Sequence, residues 1–325
     1  MTTVADTART GGWLEHVPVP LFAMTMGVGG LGLAWRKAHE VFALPSAIGE
    51  GLLLLAGALY AAMAALYAAK AAAHPKAVAA EYAHPVRGNF FAAISISLMI
   101  LAGGLLPHAR TGADMLWLAG AGLQIALSAI LVGRWLTREQ QIAHSNPAWF
   151  IPIVGNVLAP IAGVPLGHGE LSWFMFGVGI VFWLVLFPIV LNRILFHGMM
   201  PAKLTPTLFI LLAPPSVGFL AHVQLNGGTL DGGARLLIAP ALFLALILAL
   251  RAARFLKLPF AVSWWAFTFP SAALALAGLR YAQLAPSPVT QTLAGVLLLA
   301  ASAIIAAVFG RTLVALLRGD LFLPD

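Results

Sequence analysis

Charge is what this sequence has least of. Only 9% of its 325 residues are Asp, Glu, Lys or Arg, against roughly a quarter in an ordinary soluble domain. With 61% of residues hydrophobic, a water-soluble globule is excluded, because a chain of this size cannot hide that much apolar surface. Disorder is excluded by the same composition. Cysteine is absent, which removes disulfides, thiolate metal sites and cysteine nucleophiles. Carboxylates are missing from the middle of every long apolar stretch: Glu15, Glu40, Glu50, Glu81, Asp114, Glu139, Glu170 and Asp231 all fall in loops or within a turn or two of a helix end. Ion-coupled transporters generally use an intramembrane carboxylate, and cation channels use rings of Asp or Glu. Neither device is available here.

What is present is apolar and long. The sparse charges leave ten charge-free windows: 16–35, 51–69, 88–109, 115–133, 140–169, 171–192, 204–230, 236–250, 258–279 and 281–310. A helix needs about 20 apolar residues to cross a bilayer, and the one short window, 236–250, extends to Gly233 and Ala253 by taking in Arg235 and Arg251, which can snorkel. The reading is an all-α integral membrane protein of ten transmembrane helices, one domain over 1–325 with tails at 1–15 and 318–325. Arg36 and Lys37 follow the first apolar segment where a cleavage site would stand, which argues against a signal peptide. Of the 18 Lys and Arg, 13 fall at the N-terminus, in the loops after even-numbered helices and at the C-terminus. The positive-inside rule then places both termini in the cytoplasm.

Proline marks a repeat. Pro18/Pro20, Pro85, Pro147, Pro206 and Pro259 stand at the start of the odd-numbered helices, each followed within five residues by a phenylalanine: Phe22, Phe90, Phe150, Phe209 and Phe260. Proline suits a first helical position, where its missing N–H costs nothing, so the unit is one helical hairpin repeated five times. The odd helices also hold most of the mid-membrane polar and helix-breaking residues, while stretches such as 236–250 on the even helices are mainly Leu, Ala, Val and Ile. Backbone groups freed at a kink, and polar side chains, find partners inside a bundle rather than in lipid. The odd helices should therefore form an inner ring around an axis, with Pro152, Pro160, Pro214, Pro215 and Pro270 as kinks. Thr25, Ser95, Ser97, Asn156, Ser216 and Thr268 are candidates for its lining, with helix–helix packing an equal alternative for each.

Four stretches, 27-GVGGLGLAWR-36, 81-EYAHPVRGNFFA-92, 147-PAWFIPIVGN-156 and 258-LPFAVSWWAFTFP-270, resemble the tellurite-resistance/dicarboxylate transporter family, which includes bacterial relatives of plant slow anion channels. The resemblance runs from about Pro18 to Arg318. It implies five hairpins in quasi-fivefold symmetry, a pore within each protomer, a homotrimer in a bacterial inner membrane, and permeation of small anions. It further implies a pore shut by a phenylalanine on the ninth helix, which falls on Phe269. Phe267 lies two positions away, about 200° round a helix, and cannot face the same way. The leading expectation is a passive channel for small inorganic anions of the chloride or nitrate class. A secondary carrier for tellurite or C4-dicarboxylates is the alternative.

Other apparent signals carry little. Gly27-Val28-Gly29-Gly30-Leu31-Gly32 fits a dinucleotide-binding pattern, but inside a membrane span with no strand before it. Its glycines instead suit close helix packing. The nine histidines show no metal-ligand spacing, and there is no nucleophile–base constellation, so no enzyme, metal, cofactor or nucleic-acid partner is expected. The net charge of +7 is what basic cytoplasmic loops produce, with Arg87 and Arg280 the residues to watch near a pore mouth.

Overall fold

The computed structural model describes residues 12–322. Arg9 and the outer parts of both expected tails, 1–11 and 323–325, lie outside the described residues. Within them the protein is built from ten long helices. They are α1 (Ala23–Phe42), α2 (Ser46–Ala73), α3 (Arg87–Leu105), α4 (Arg110–Thr137), α5 (Pro147–Leu166), α6 (Gly169–Phe196), α7 (Thr205–Leu225), α8 (Gly232–Leu250), α9 (Val262–Leu284) and α10 (Pro288–Arg318). Nine of them, all but α1, are long and apolar enough to cross a membrane on composition alone. Helix α1 carries Arg36, Lys37 and Glu40 in its last turns, yet twelve of its residues are buried and it packs against α2, α3 and α9.

The two expected rings are present. In α3, α5, α7 and α9 between 61% and 78% of the apolar core of each span is buried, whereas in the even helices the share is 17–33%. Helix α1 packs on α3, α3 on α5, α5 on α7, α7 on α9, and α9 returns to α1, closing a ring of five. Each even helix packs against the inner helix of its own hairpin and that of the next hairpin, α10 completing the cycle on α1. The outward faces of the even helices are apolar and exposed, as at Leu54, Leu136, Leu236, Phe243 and Leu317. Such a surface is stable only against lipid or another apolar face.

All five inner helices open with 3-10 turns: Val19–Phe22 before α1, and Arg87–Phe91, Pro147–Trp149, Thr205–Leu212 and Val262–Phe267 as the first turns of the others. Pro20, Pro147 and Pro206 occupy first or second positions of these turns, as proline's fixed φ favours. Pro85 and Pro259 instead stand just before their turns. Their carbonyls accept hydrogen bonds from Asn89 Nδ2 at 2.9 Å and Trp264 Nε1 at 3.0 Å, so each closes the turn from outside it. Pro160, Pro214, Pro215 and Pro270 lie where 3-10 geometry gives way to α-helix. A missing N–H breaks the i to i−4 ladder at that point, so these prolines mark a change of helix type. Pro152 lies inside the short α-helical stretch Phe150–Val154.

The glycines of α1 allow backbones to approach on three sides. A methyl at Gly27 would stand 2.2 Å from Thr268 Oγ1 on α9, one at Gly29 2.9 Å from Ile100 Cγ2 on α3, and one at Gly32 2.7 Å from Leu53 Cγ on α2. A short helix between α2 and α3, Pro75–Ala83, has no counterpart in the sequence reading. It places Glu81 in a buried cluster, where the carboxylate accepts from Lys70 Nζ at 2.9 Å, Tyr67 Oη at 2.8 Å and the Val19 amide at 2.8 Å. Lys70 Nζ also donates to the Val17 carbonyl at 2.7 Å. This fully satisfied ion pair fixes the start of α1 to the first hairpin.

Candidate functional site

Two cavities lie along the axis of the inner ring, one of about 60 Å³ toward the 3-10 ends and one of about 20 Å³ toward the opposite ends. Each is bordered by residues from all five inner helices. The larger takes Met26 from α1, Ile96 from α3, Val154 from α5, Pro214 from α7 and Trp265 from α9. The smaller takes Leu33, Met99, Ile161, Leu220 and Leu276 in the same order. Three side chains border both: Leu158, Val217 and Phe269. They form the partition between the two chambers.

Phe269 is the largest of the three. Its neighbours Thr268 and Pro270 are buried while Phe269 keeps partial accessibility, because its ring faces the axial space. The ring lies against a notch in α1. A methyl at Gly30 would stand 3.4 Å from Phe269 Cδ2 and 3.2 Å from Ala272 Cβ, so glycine makes the room that the ring uses. Phe267 is turned away, 6% exposed, in an aromatic cluster with Phe209, Phe255 and Trp264 at centroid distances of 4.8, 5.8 and 5.7 Å. Of the phenylalanines that follow the hairpin prolines, Phe90 and Phe150 border the larger cavity. Phe22 packs on Tyr60 and Tyr67, Phe209 on Phe255, and Phe260 on Trp264.

The walls of these two cavities are apolar. None of Thr25, Ser95, Ser97, Asn156, Ser216 and Thr268 borders either cavity. Ser95 Oγ donates to Gln124 Oε1 at 2.5 Å, Ser97 Oγ to the Phe22 carbonyl at 3.3 Å, and Thr268 Oγ1 to the Trp265 carbonyl at 2.7 Å. Asn156 Nδ2 donates to Ser128 Oγ and the Ile153 carbonyl, both at 2.7 Å. Thr25 and Ser216 are fully buried, with no hydrogen-bond partner among the described residues. The one lining side chain with a polar atom, Trp265, directs Nε1 outward to Thr312 Oγ1 on α10 at 3.0 Å. Of the kink candidates, Pro214 and Pro270 border the larger cavity, and Pro152, Pro160 and Pro215 border neither.

Gln124 and Ser128, on the outer helix α4, answer where the broken backbone of α5 finds its partners. Gln124 Nε2 donates to the Pro152 carbonyl at 2.8 Å and the Ile151 carbonyl at 3.3 Å, and Ser128 Oγ to the Pro152 carbonyl at 2.6 Å. Buried carbonyls of this kind need such donors. These residues hold the Phe150–Val154 stretch of α5 at the ring, and sequence reasoning passed over them because α4 otherwise reads as an apolar lipid-facing helix.

A ring of parallel inner helices also has an electrostatic direction. All five N-termini lie at the end of the larger cavity, and the positive ends of their dipoles favour anions there. No Asp or Glu borders either cavity. Residues 16–313 match the family described as voltage-dependent anion channel, SLAC1. The chain is 32% identical to the S-type anion channel SLAH3 of Arabidopsis thaliana over 322 residues, which is 96% of this chain and 51% of that protein. It is 30% identical to SLAH2 of the same plant, over 98% of this chain and 63% of that protein. It therefore spans about half to two-thirds of the length of these plant relatives. A tellurite resistance protein TehA homolog of Haemophilus influenzae is 26% identical over 80% of this chain and 79% of its own length. With ten packed helices, an apolar outer face and a match that covers all five hairpins, this chain is a multi-pass membrane protein of the SLAC1, or voltage-dependent anion channel, family.

Proposed function

We propose that the protein is a passive channel for small inorganic anions such as chloride or nitrate, with the path along the inner-ring axis of each protomer and Phe269 as its gate. The observation that carries this reading is the position of Phe269, Leu158 and Val217 between two chambers that all five inner helices border. An apolar constriction stops ions by steric block and by excluding water. The path opens when the Phe269 ring swings aside, since Gly30 and Ala272 bound it on one side while the two chambers lie on the others. Selection for anions follows from the parallel helix N-termini and the basic residues around that mouth, with no carboxylate on the axis to attract cations. The channel works as a homotrimer in a bacterial inner membrane, with the 3-10 ends and both termini on the cytoplasmic side, as the Lys and Arg distribution supports.

The name of the Haemophilus influenzae relative favours a second reading, a carrier exporting tellurite or moving C4-dicarboxylates. Liposomes separate the two. Purified protein carrying Phe269→Ala is expected to pass chloride or nitrate down its own gradient with no proton gradient imposed. Flux that requires a proton gradient supports the carrier and rejects the channel.

A further inference from the structure

At the end of the ring opposite the prolines, every inner helix finishes on a basic side chain. Arg36 lies in the last turns of α1, His222 and Arg280 in the last turns of α7 and α9, and His108 and His168 just beyond α3 and α5. These are the negative ends of five parallel dipoles, where cations are stabilised. The antiparallel outer helices begin at the same end, and three of them bring carboxylates that bind these basic groups. Glu50 on α2 binds Arg36 at 2.8 Å and His108 Nε2 at 2.9 Å. Asp114 on α4 meets His168 Nε2 at 2.6 Å, and Asp231, the N-cap of α8, meets His222 Nε2 at 2.8 Å. Arg280 Nη1 donates to Gln283 Oε1 at 2.6 Å.

The collar stands over the smaller cavity. Arg36 lies one turn beyond Leu33, Arg280 one turn beyond Leu276, and both leucines border that cavity. Arg36 also donates to the carbonyls of Gly103 and Gly104 on α3. Among the described residues no three His, Asp or Glu stand close enough together to hold a metal. With neutral imidazoles the collar holds two arginines against three carboxylates. Protonation of all three histidines reverses its sign, to two net positive charges. The other charges of this end are the Lys37–Glu40 pair on α1, Arg110 on α4, which donates to the Pro165 carbonyl, Glu170 on α6 and Arg235 on α8. His39 on α1 faces the Leu44 carbonyl. The Asp231 carboxyl is held below the usual carboxylate range, first by the Ala234 amide and then by His222, so it serves His222 as a charged partner.

We infer that this collar is a pH-responsive anion-recruiting site, in which protonated His108, His168 and His222 join Arg36 and Arg280 to gather small anions at this mouth. Imidazole is the side chain that changes charge between about pH 5 and 8. Five helices packed at interaxial distances of about 8–10 Å put such groups roughly 10–12 Å from the ring axis. At that distance each added charge raises the local anion concentration about twofold before screening. Three protonations together give up to about an eightfold rise unscreened, about threefold to fivefold at an ionic strength of about 0.01 M, and no more than about twofold at about 0.15 M.

The inference rests on the conduction reading, so the test uses the Phe269→Ala channel in planar bilayers with chloride at about 10 mM, where screening is weak, titrated from about pH 8 to 5.5 on one side at a time. Chloride current is expected to rise about threefold to fivefold when the collar side is acidified, and the combined His108→Gln, His168→Gln and His222→Gln variant is expected to lose that rise. His108→Gln alone, at a ring more than half exposed, is expected to remove part of it. Trp117 stacks on the His168 ring at 4.7 Å with planes 4° apart, so its fluorescence, isolated by comparison with Trp117→Phe, reports His168 protonation without any current. A rise that survives in the triple variant, or a conducting channel with no pH response, overturns the collar while leaving the channel intact. Silence at every pH overturns the conduction reading and the collar's role with it.

Discussion

Replacing Phe269 by alanine removes the largest of the three side chains that partition chambers of about 60 and 20 Å³. The chambers are narrow and their walls apolar, so an anion reaching the partition must leave most of its hydration shell behind. Leaving one polar group's hydration uncompensated costs about 2–7 kcal/mol. If the shorter side chain lets a single further water accompany the ion, the barrier falls by at least about 2 kcal/mol, a rise in anion current of at least about thirtyfold. The structural cost is modest. The ring is only partly buried, so destabilisation should stay below the roughly 3–5 kcal/mol of a fully buried Phe→Ala change. The assay is anion current in planar bilayers for the wild type, Phe269→Ala and Phe267→Ala. Phe267 borders neither cavity and sits in an aromatic cluster, so its truncation should lower thermal stability and leave current near the wild-type level. Unchanged current in Phe269→Ala, or a large increase in Phe267→Ala instead, refutes the assignment of the gate.

Two further outcomes concern the scaffold. Gln124→Leu strips a donor from the buried Ile151 and Pro152 carbonyls and the acceptor from Ser95 Oγ, with an expected loss of about 2–4 kcal/mol, read as a lower Tm in detergent. Lys70→Met leaves Glu81 buried without its counter-charge, at an expected cost of about 3–5 kcal/mol. The Lys70→Met/Glu81→Leu double variant should recover much of that, and a double variant as unstable as the single one would show that the ion pair is not the cause.

The two-ring architecture was legible because lipid and protein impose different compositions. Even helices such as 236–250 spend their length on Leu, Ala and Ile, while the odd ones collect most of the helix prolines. The face of an inner helix that borders the axis was not legible. Both its faces are enclosed by protein, so no polar–apolar stripe distinguishes them, and the hydroxyls of Ser95, Ser97 and Thr268 turned out to face neighbouring helices or their own backbone. Phe269 was placed by resemblance and not by pattern, since nothing in its local sequence separates it from Phe267. The donors Gln124 and Ser128 were missed because their partners lie more than twenty residues away on another helix, and the Lys70–Glu81 pair because the short helix Pro75–Ala83 that folds Glu81 back onto Lys70 has too little apolar pattern to stand out. The histidine collar was not legible either, since its basic side chains lie more than fifty residues apart along the chain and meet only through the fivefold ring.

The central claim is that anions travel along the ring axis, and the absence of cysteine from the chain makes a direct test available. Single cysteines at Ala213, which borders the larger cavity, and Ala273, which borders the smaller, can be introduced into the Phe269→Ala channel and treated with a thiol-modifying reagent during recording. A cysteine at Leu236, on the exposed apolar face of α8, is the control. The account predicts that modification at either axial position blocks the anion current while the Leu236 variant conducts as before. Current that persists through fully modified Ala213→Cys and Ala273→Cys channels would place the path elsewhere and contradict the account.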